Sequence, residues 1–316
     1  MPRHRTALPQ LQRPFLTDGG IETTLIFHDG WDLPHFAAFH LLRTPQGREA
    51  LRGYFRTYVD LAAGFGVGLV LESATWRANR DWGERLGYTD AELAQANRDA
   101  IALLVALRDE AAPAPIVISG CIGPRGDGYV PDTAMSAQQA HDYHRAQAQT
   151  FAGTEADLVT AITMNTIEEA QGVARAAREA GMPVVLSFTV ETDGRLPTGD
   201  TLQAAIERVD EDTGGYPAYY MINCAHPTHF AQVLDDDAPW VRRIRGVRAN
   251  ASRMSHAELN EATELDAGDP DELAREHAEL KRRLPALTVF GGCCGTDHRH
   301  VGAIARECLP LFAAPA

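Results

Sequence analysis

Short apolar runs alternate with amphipathic stretches about eight times along the chain. The runs at 15–17, 68–71, 116–119, 157–161, 184–188, 219–222, 246–248 and 288–290 predict strands. Several carry no polar alternation, as expected of parallel strands covered on both faces. Between them, Leu51, Tyr54, Tyr58 and Leu61 recur at helical spacing and give the first helix one apolar face. Helix starts are marked by Thr44-Pro45, by Thr89, Ser136 and Thr166 with Glu or Gln three residues on, and by Asp269-Pro270. Gly181-Met182-Pro183 stops a helix just before the fifth strand.

Eight β-then-α units predict an α/β fold, a single (β/α)8 TIM barrel forming one domain over 1–316. A doubly wound open sheet is the competitor. Its dinucleotide turn would need G-x-G-x-x-G after the first strand, where the chain reads Asp18-Gly19-Gly20-Ile21-Glu22-Thr23. The long non-periodic stretches, 28–39 and 120–133, are expected as loops over the active face.

Composition narrows the chemistry. A hydrophobic fraction of 45% supports a large core, and the net charge of −14 disfavours nucleic acid and anionic membranes as partners. No run approaches the roughly 18 apolar residues of a membrane span, and no apolar segment follows the first basic residues, so a cytoplasmic location is expected. The five cysteines are an odd count with one adjacent pair, a pattern that points to a metal or to reactive thiols rather than a disulfide frame.

In a barrel, residues just past the strand ends converge on one mouth. Cys224 follows the sixth predicted strand, and Cys293 and Cys294 follow the eighth within Gly291-Gly292-Cys293-Cys294-Gly295-Thr296. Three thiolates make an incomplete tetrahedral Zn2+ site with one open position, which suits a soft substrate atom such as a thiol. Cys121 follows the third run, and Cys308 lies in the last helix as expected packing. The bland alternatives are buried small hydrophobes and a Gly-Gly phosphate cradle.

These motifs resemble those of the homocysteine S-methyltransferase family, which includes betaine- and S-methylmethionine-dependent enzymes. The resemblance rests on Leu16-Thr17-Asp18-Gly19-Gly20, Ser187-Phe188-Thr189-Val190, Asp193-Gly194-Arg195-Leu196 with Gly199, Asn223-Cys224, Asn250 after the seventh strand, and the Gly-Gly-Cys-Cys-Gly turn. It implies a (β/α)8 barrel with zinc on Cys224, Cys293 and Cys294 and a homocysteine thiolate in the fourth position. It also implies catalytic roles for Asp18 and Asn223, with Asp18 on the substrate ammonium and the amides of Gly19 and Gly20 on its carboxylate. Asn250 and Trp76 stand at matching positions on the expected substrate wall, and Glu22, Glu72 and Thr163 are candidates for that wall where the chain departs from the family pattern. An Asx-turn is the plain alternative for Asp18.

The chain departs from the family in one respect above others. Family members carry a Glu-Thr pair after the fourth strand, where this sequence has Ile162-Thr163. A hydroxyl cannot replace a full charge in holding an α-amino group, so Glu22, Glu72 or a different acceptor must compensate. Trp76 keeps an aromatic after the second strand, whereas Glu72 and Arg77 are unusual there. The expected reaction moves a methyl group from a sulfonium or quaternary ammonium donor onto a thiol, and Trp31, Phe36, Phe39, Trp76, Trp82 and Tyr129 are candidates for a cage around the cationic donor. The alternatives are transfer to another thiol or selenol, and a non-catalytic zinc- or thiol-binding relative. A barrel lyase would need a strand-end lysine, and Lys281 is placed in a late helix.

Overall fold

A computed structural model describes residues 1–111, 114–131, 134–234 and 237–313. Asp132 and Thr133, the end of the expected 120–133 loop, and the last three residues lie outside these. Eight parallel strands close into a barrel in sequence order: β1 Phe15–Leu16, β2 Gly68–Glu72, β3 Ile116–Ile122, β4 Leu158–Met164, β5 Val184–Phe188, β6 Tyr219–Asn223, β7 Ile244–Ala249 and β8 Val289–Gly292. The helices that follow them are α1 Pro45–Phe65, α2 Asp90–Glu110, α3 Ala137–Ala152, α4 Ile167–Glu179, α5 Leu202–Thr213, α6 Pro227–Phe230, α7 Pro270–Arg283 and α8 His298–Cys308. The (β/α)8 expectation holds, although α6 is a single turn of four residues. Among the described residues no helix is long and apolar enough to cross a membrane.

The helix ends use the residues their sequences offer. Thr44 accepts from Gly47 N at 3.0 Å, and α1 ends on Gly66 in the left-handed region at φ +66°. Thr89 and Ser136 form reciprocal capping boxes. Thr166 caps α4 alone, because Glu169 turns inward to His144 at 2.8 Å and to the Arg125 amide at 2.7 Å. On α1, Leu51, Tyr54 and Tyr58 are buried as expected, while Leu61 is only partly covered and Phe55, Val59 and Ala62 fill the face instead.

Side chains alternate across each strand, so every second residue enters the barrel. The lower lumen is apolar, filled by Phe15, Val70, Val117, Leu158, Val185, Tyr219, Met221 and Val289. Gln10 plugs it from below, donating to the Tyr219 hydroxyl at 3.4 Å. Two residues further along the strands the lumen turns polar. Ser119 and Thr160 share a hydrogen bond of 2.7 Å, Ser187 donates to Asn223 at 2.6 Å, and Arg248 pairs with Glu72. That change explains why most strands run past their expected ends. Glu72, Cys121, Thr163 and Asn223 lie inside strands, because a polar residue facing the lumen continues the ladder that an apolar criterion ends.

Candidate active site

The polar layer opens upward into a cavity of about 180 Å³ at the strand ends. The sulfurs of Cys224, Cys293 and Cys294 lie on its wall within 4.8 Å of one another. This is the convergence expected from the ends of β6 and β8. Their turns are shaped for it. A Cβ on Gly291 would fall 1.8 Å from Thr17 Oγ1, and one on Gly292 would fall 1.9 Å from Thr296 Oγ1, so both positions need glycine. A Cβ on Gly20 would meet the Cys293 carbonyl at 2.5 Å, which packs the β1 turn against the cysteine turn.

Cys224 sits at φ +53°, where a non-glycine residue is strained. Its carbonyl accepts from Asn250 Nδ2 at 3.0 Å and from His256 Nε2 at 2.7 Å, which hold it there. The His256 ring stacks on Tyr129 at 3.9 Å, and the Tyr129 hydroxyl lies 3.5 Å from Cys294 Sγ. Asn223 donates from Nδ2 to Thr163 Oγ1 at 2.9 Å and approaches Cys293 Sγ at 3.9 Å. Burial pushes the Cys294 thiol above its ordinary pKa, against the pull of Tyr129, so a nearby positive charge is needed to make it a thiolate.

The cysteines are expected to serve a metal or as reactive thiols, and in this structure Cys224 and Cys293 stand in disulfide contact. Strands β6 and β8 bring their Cα atoms to 5.4 Å, within the span a disulfide bridges. Cys121 and Cys308 are buried free thiols, as is the half-covered Cys294 a free one. A metal on all three sulfurs requires the reduced pair. The donor set then fits zinc: three soft atoms, close together, with the cavity on their open side.

Across the cavity, Asp18, Glu72 and Arg248 form a buried cluster. Arg248 Nη2 donates to Asp18 Oδ1 at 2.6 Å, Nη1 pairs with Glu72 Oε2, and Nε donates to the Gly292 carbonyl at 3.1 Å. The Tyr54 hydroxyl reaches Asp18 Oδ2 at 3.0 Å. Burial raises the Asp18 and Glu72 carboxyls above their ordinary values while Arg248 pulls them down. Burial would lower the guanidinium, but Asp18 and Glu72 outweigh it and hold Arg248 above the usual arginine value.

The remaining expected residues divide. Gly19, Gly20, Glu22, Trp76 and Thr163 line the cavity. The Gly20 amide, expected for a substrate carboxylate, donates to the Thr296 carbonyl at 3.0 Å. Glu22 is pushed up to about 7, by burial first and then by Asp18. Thr163 enters at φ +62° through an irregularity of β4, its amide held by Asn223 Oδ1 at 3.0 Å. Asn223 and Asn250 stand behind the cysteines rather than on the cavity wall. Of the expected aromatic cage, Phe36, Trp76 and Tyr129 line the cavity, and Trp31, Phe39 and Trp82 do not. Arg77 stacks on Trp76 at 3.9 Å and on Trp82 at 4.0 Å, so a resident cation already covers one aromatic face.

Arg248, His256 and Tyr54 are further site groups, through Asp18, the Cys224 carbonyl and Asp18 respectively. A charged residue inside a strand of a parallel barrel is the signal for Arg248, since a buried cation needs a carboxylate from another strand. Nothing in the sequence marks the Tyr54 hydroxyl or the His256 ring as site groups.

A profile described as homocysteine S-methyltransferase matches residues 15–308. Homocysteine S-methyltransferase 3 of Arabidopsis thaliana is 24% identical over 208 residues, covering 62% of this chain and 58% of the relative's length. The homocysteine methyltransferase MmuM from Escherichia coli, solved in an oxidized form, superposes with a TM-score of 0.73 at 19% identity, over 96% of this chain and 99% of MmuM. Its metallated form superposes at 0.72 with 19% identity, over 95% and 98% of the two chains. At that identity the likeness shows the fold.

Proposed function

The chain belongs to the homocysteine S-methyltransferase family, and we propose that it transfers a methyl group to a thiol held beside Cys224, Cys293 and Cys294. The observation that carries this is the gathering of three sulfurs, within 4.8 Å of one another, on the wall of the cavity. Zinc is the proposed metal, with those cysteines as its ligands, and when bound it would supply the Lewis acidity that makes a substrate thiol a nucleophile at neutral pH. That a solved relative is described in a metallated form supports this reading.

The protein's own residues do the rest. Asn250 and His256 fix Cys224 through its carbonyl, and Asn223 positions Cys293 and Thr163. These are positioning residues, whereas the notion of Asn223 as a catalytic group requires contact with a reacting atom. Phe36, Trp76 and Tyr129 offer apolar and π surface to a cationic donor and keep water from it. In the transfer, the thiol gives up its proton to solvent and its sulfur forms the new S–CH3 bond. The donor's bond to that methyl breaks, with the electron pair staying on the donor sulfur or nitrogen. The charge of −14 fits small-molecule partners rather than nucleic acid.

The test is product identity by mass spectrometry. Zinc-loaded protein is offered thiols alongside S-methylmethionine, S-adenosylmethionine and betaine. A methyl thioether formed with one donor is the expected result, and its absence with every donor and thiol overturns the assignment.

A further inference from the structure

The wall opposite the cysteines holds a cation of its own. Asp18, the residue expected to take a substrate ammonium, is 2% exposed and is met by Arg248 on one carboxylate oxygen and by Tyr54 on the other. Glu72, the second carboxylate expected to compensate, is 4% exposed and pairs with the same guanidinium. Arg248 is itself 6% exposed and fixed from behind by the Gly292 and Gly19 carbonyls at 3.1 and 3.3 Å, so it does not swing aside at small cost. Where a family glutamate would stand, Ile162 offers no polar group, and the hydroxyl of Thr163 beside it accepts from Asn223 Nδ2 at 2.9 Å.

A second cation faces the same cavity. Arg77 is 6% exposed, lies 3.7 Å from Asp127, donates to the Gly126 carbonyl at 2.8 Å, and has an Nε–H with no hydrogen-bond partner among the described residues. An anionic oxygen is the group that such a donor lacks.

We propose that Arg248 occupies the place of the acceptor's ammonium, so that the site selects thiols that carry a carboxylate but no α-amino group, such as 4-mercaptobutanoate. This rests on the thiol-acceptor reading above. An incoming ammonium would have to displace a guanidinium from two buried carboxylates or sit beside it, like charge against like charge. Glu22, a further carboxyl on this cavity, is held well above the usual carboxylate range by burial and so offers an ammonium little charge. An acceptor without the amino group meets none of these obstacles, and its carboxylate has Arg77 to pair with.

Isothermal titration calorimetry on the zinc-loaded protein separates the cases, with L-homocysteine and 4-mercaptobutanoate as the two probes. The des-amino thiol should bind at least tenfold tighter. Homocysteine binding as tightly or more tightly overturns the selectivity and leaves the thiol-acceptor reading standing. Failure of both thiols to bind overturns that reading and the selectivity with it. Arg248→Met should narrow the preference tenfold or reverse it, by returning Asp18 and Glu72 to an ammonium. If that variant does not fold, Glu72→Gln with Arg248→Met removes one carboxylate together with the cation and makes the same test. A preference unchanged in the folded variant overturns the role given to Arg248.

Discussion

Two walls of one cavity follow opposite rules. At the ends of β6 and β8, three sulfurs lie within 4.8 Å of one another, and burial pushes the Cys294 thiol up. That wall is chemically unfinished, and its alternatives are a metal or the Cys224–Cys293 bond. At β1, β2 and β7, Asp18, Glu72 and Arg248 complete one another, with Tyr54 and two carbonyls closing the remaining positions. The unfinished wall calls for a ligand, and the finished one decides which ligand fits. Variants that hit one wall should therefore leave the other's property intact.

The largest effect is expected on the unfinished wall. Cys293→Ala with Cys294→Ala leaves one sulfur, and zinc content should fall from about one per chain to near zero. Methyl transfer should vanish with it, while the far-ultraviolet circular dichroism stays that of the folded barrel. Atomic absorption on the purified double variant checks this, and full zinc occupancy would break the contrast between the walls at its root.

The finished wall should answer in stability rather than in metal. Arg248→Met strands two buried carboxylates, and breaking a buried pair by removing one partner costs roughly 3–5 kcal/mol. The urea midpoint should drop accordingly with zinc stoichiometry unchanged. A variant that loses its zinc but not its stability would exchange the roles of the two walls.

The two walls also differ in how far the sequence disclosed them. Cys224, Cys293 and Cys294 are legible because the strand-end rule and the glycines around the pair act on local sequence. The apolar runs locate all eight strands for a similar reason. The lower lumen and the helix-facing side are both apolar, so each run stands out over several residues. The finished wall depends on contacts between positions far apart in the chain, such as Arg248 with Asp18 and Glu72. Arg248 shows only as one charge within a short strand, and Tyr54 only as one more member of an apolar helix face. Loop aromatics pack inward as readily as over a site, so the sequence alone suggests a larger cage than the cavity has; Phe39 is fully buried in the core. The single turn α6 was hidden too, since nothing after β6 marks a missing helix beyond the brevity of its apolar pattern.

Glu22 lines the cavity between the walls, and its carboxyl is pushed up to about 7 from an ordinary 4.5, chiefly by burial. A carboxyl raised on folding adds stability that is full below its unfolded value and is lost as pH rises through the folded one. Allowing for water in the cavity, the wild type should lose roughly 2 kcal/mol between pH 4.5 and 8 from this group alone. Glu22→Gln has nothing to ionise, so its stability should fall less over that range. Denaturant titrations of both proteins at pH 5 and 8 measure the difference. Parallel losses would mean that Glu22 stays solvated and belongs to neither wall.

The smallest effect should come from Tyr54→Phe, which tests how complete the finished wall is. The hydroxyl lies 3.0 Å from both Asp18 Oδ2 and the Gly19 carbonyl, so its one proton is shared between two acceptors. Asp18 keeps its charged bond to Arg248 in the variant, and the ring fills the same space. The cost should then sit near the low end for a buried hydrogen bond, about 1 kcal/mol. Zinc content should not change, because Tyr54 touches no cysteine. The preference between thiols should also hold, since Arg248 still covers Asp18. Differential scanning calorimetry with zinc analysis on the same sample reads both properties at once. A loss as large as that of Arg248→Met would show that Tyr54, rather than Arg248, keeps Asp18 in place, and the cation would then no longer define that wall.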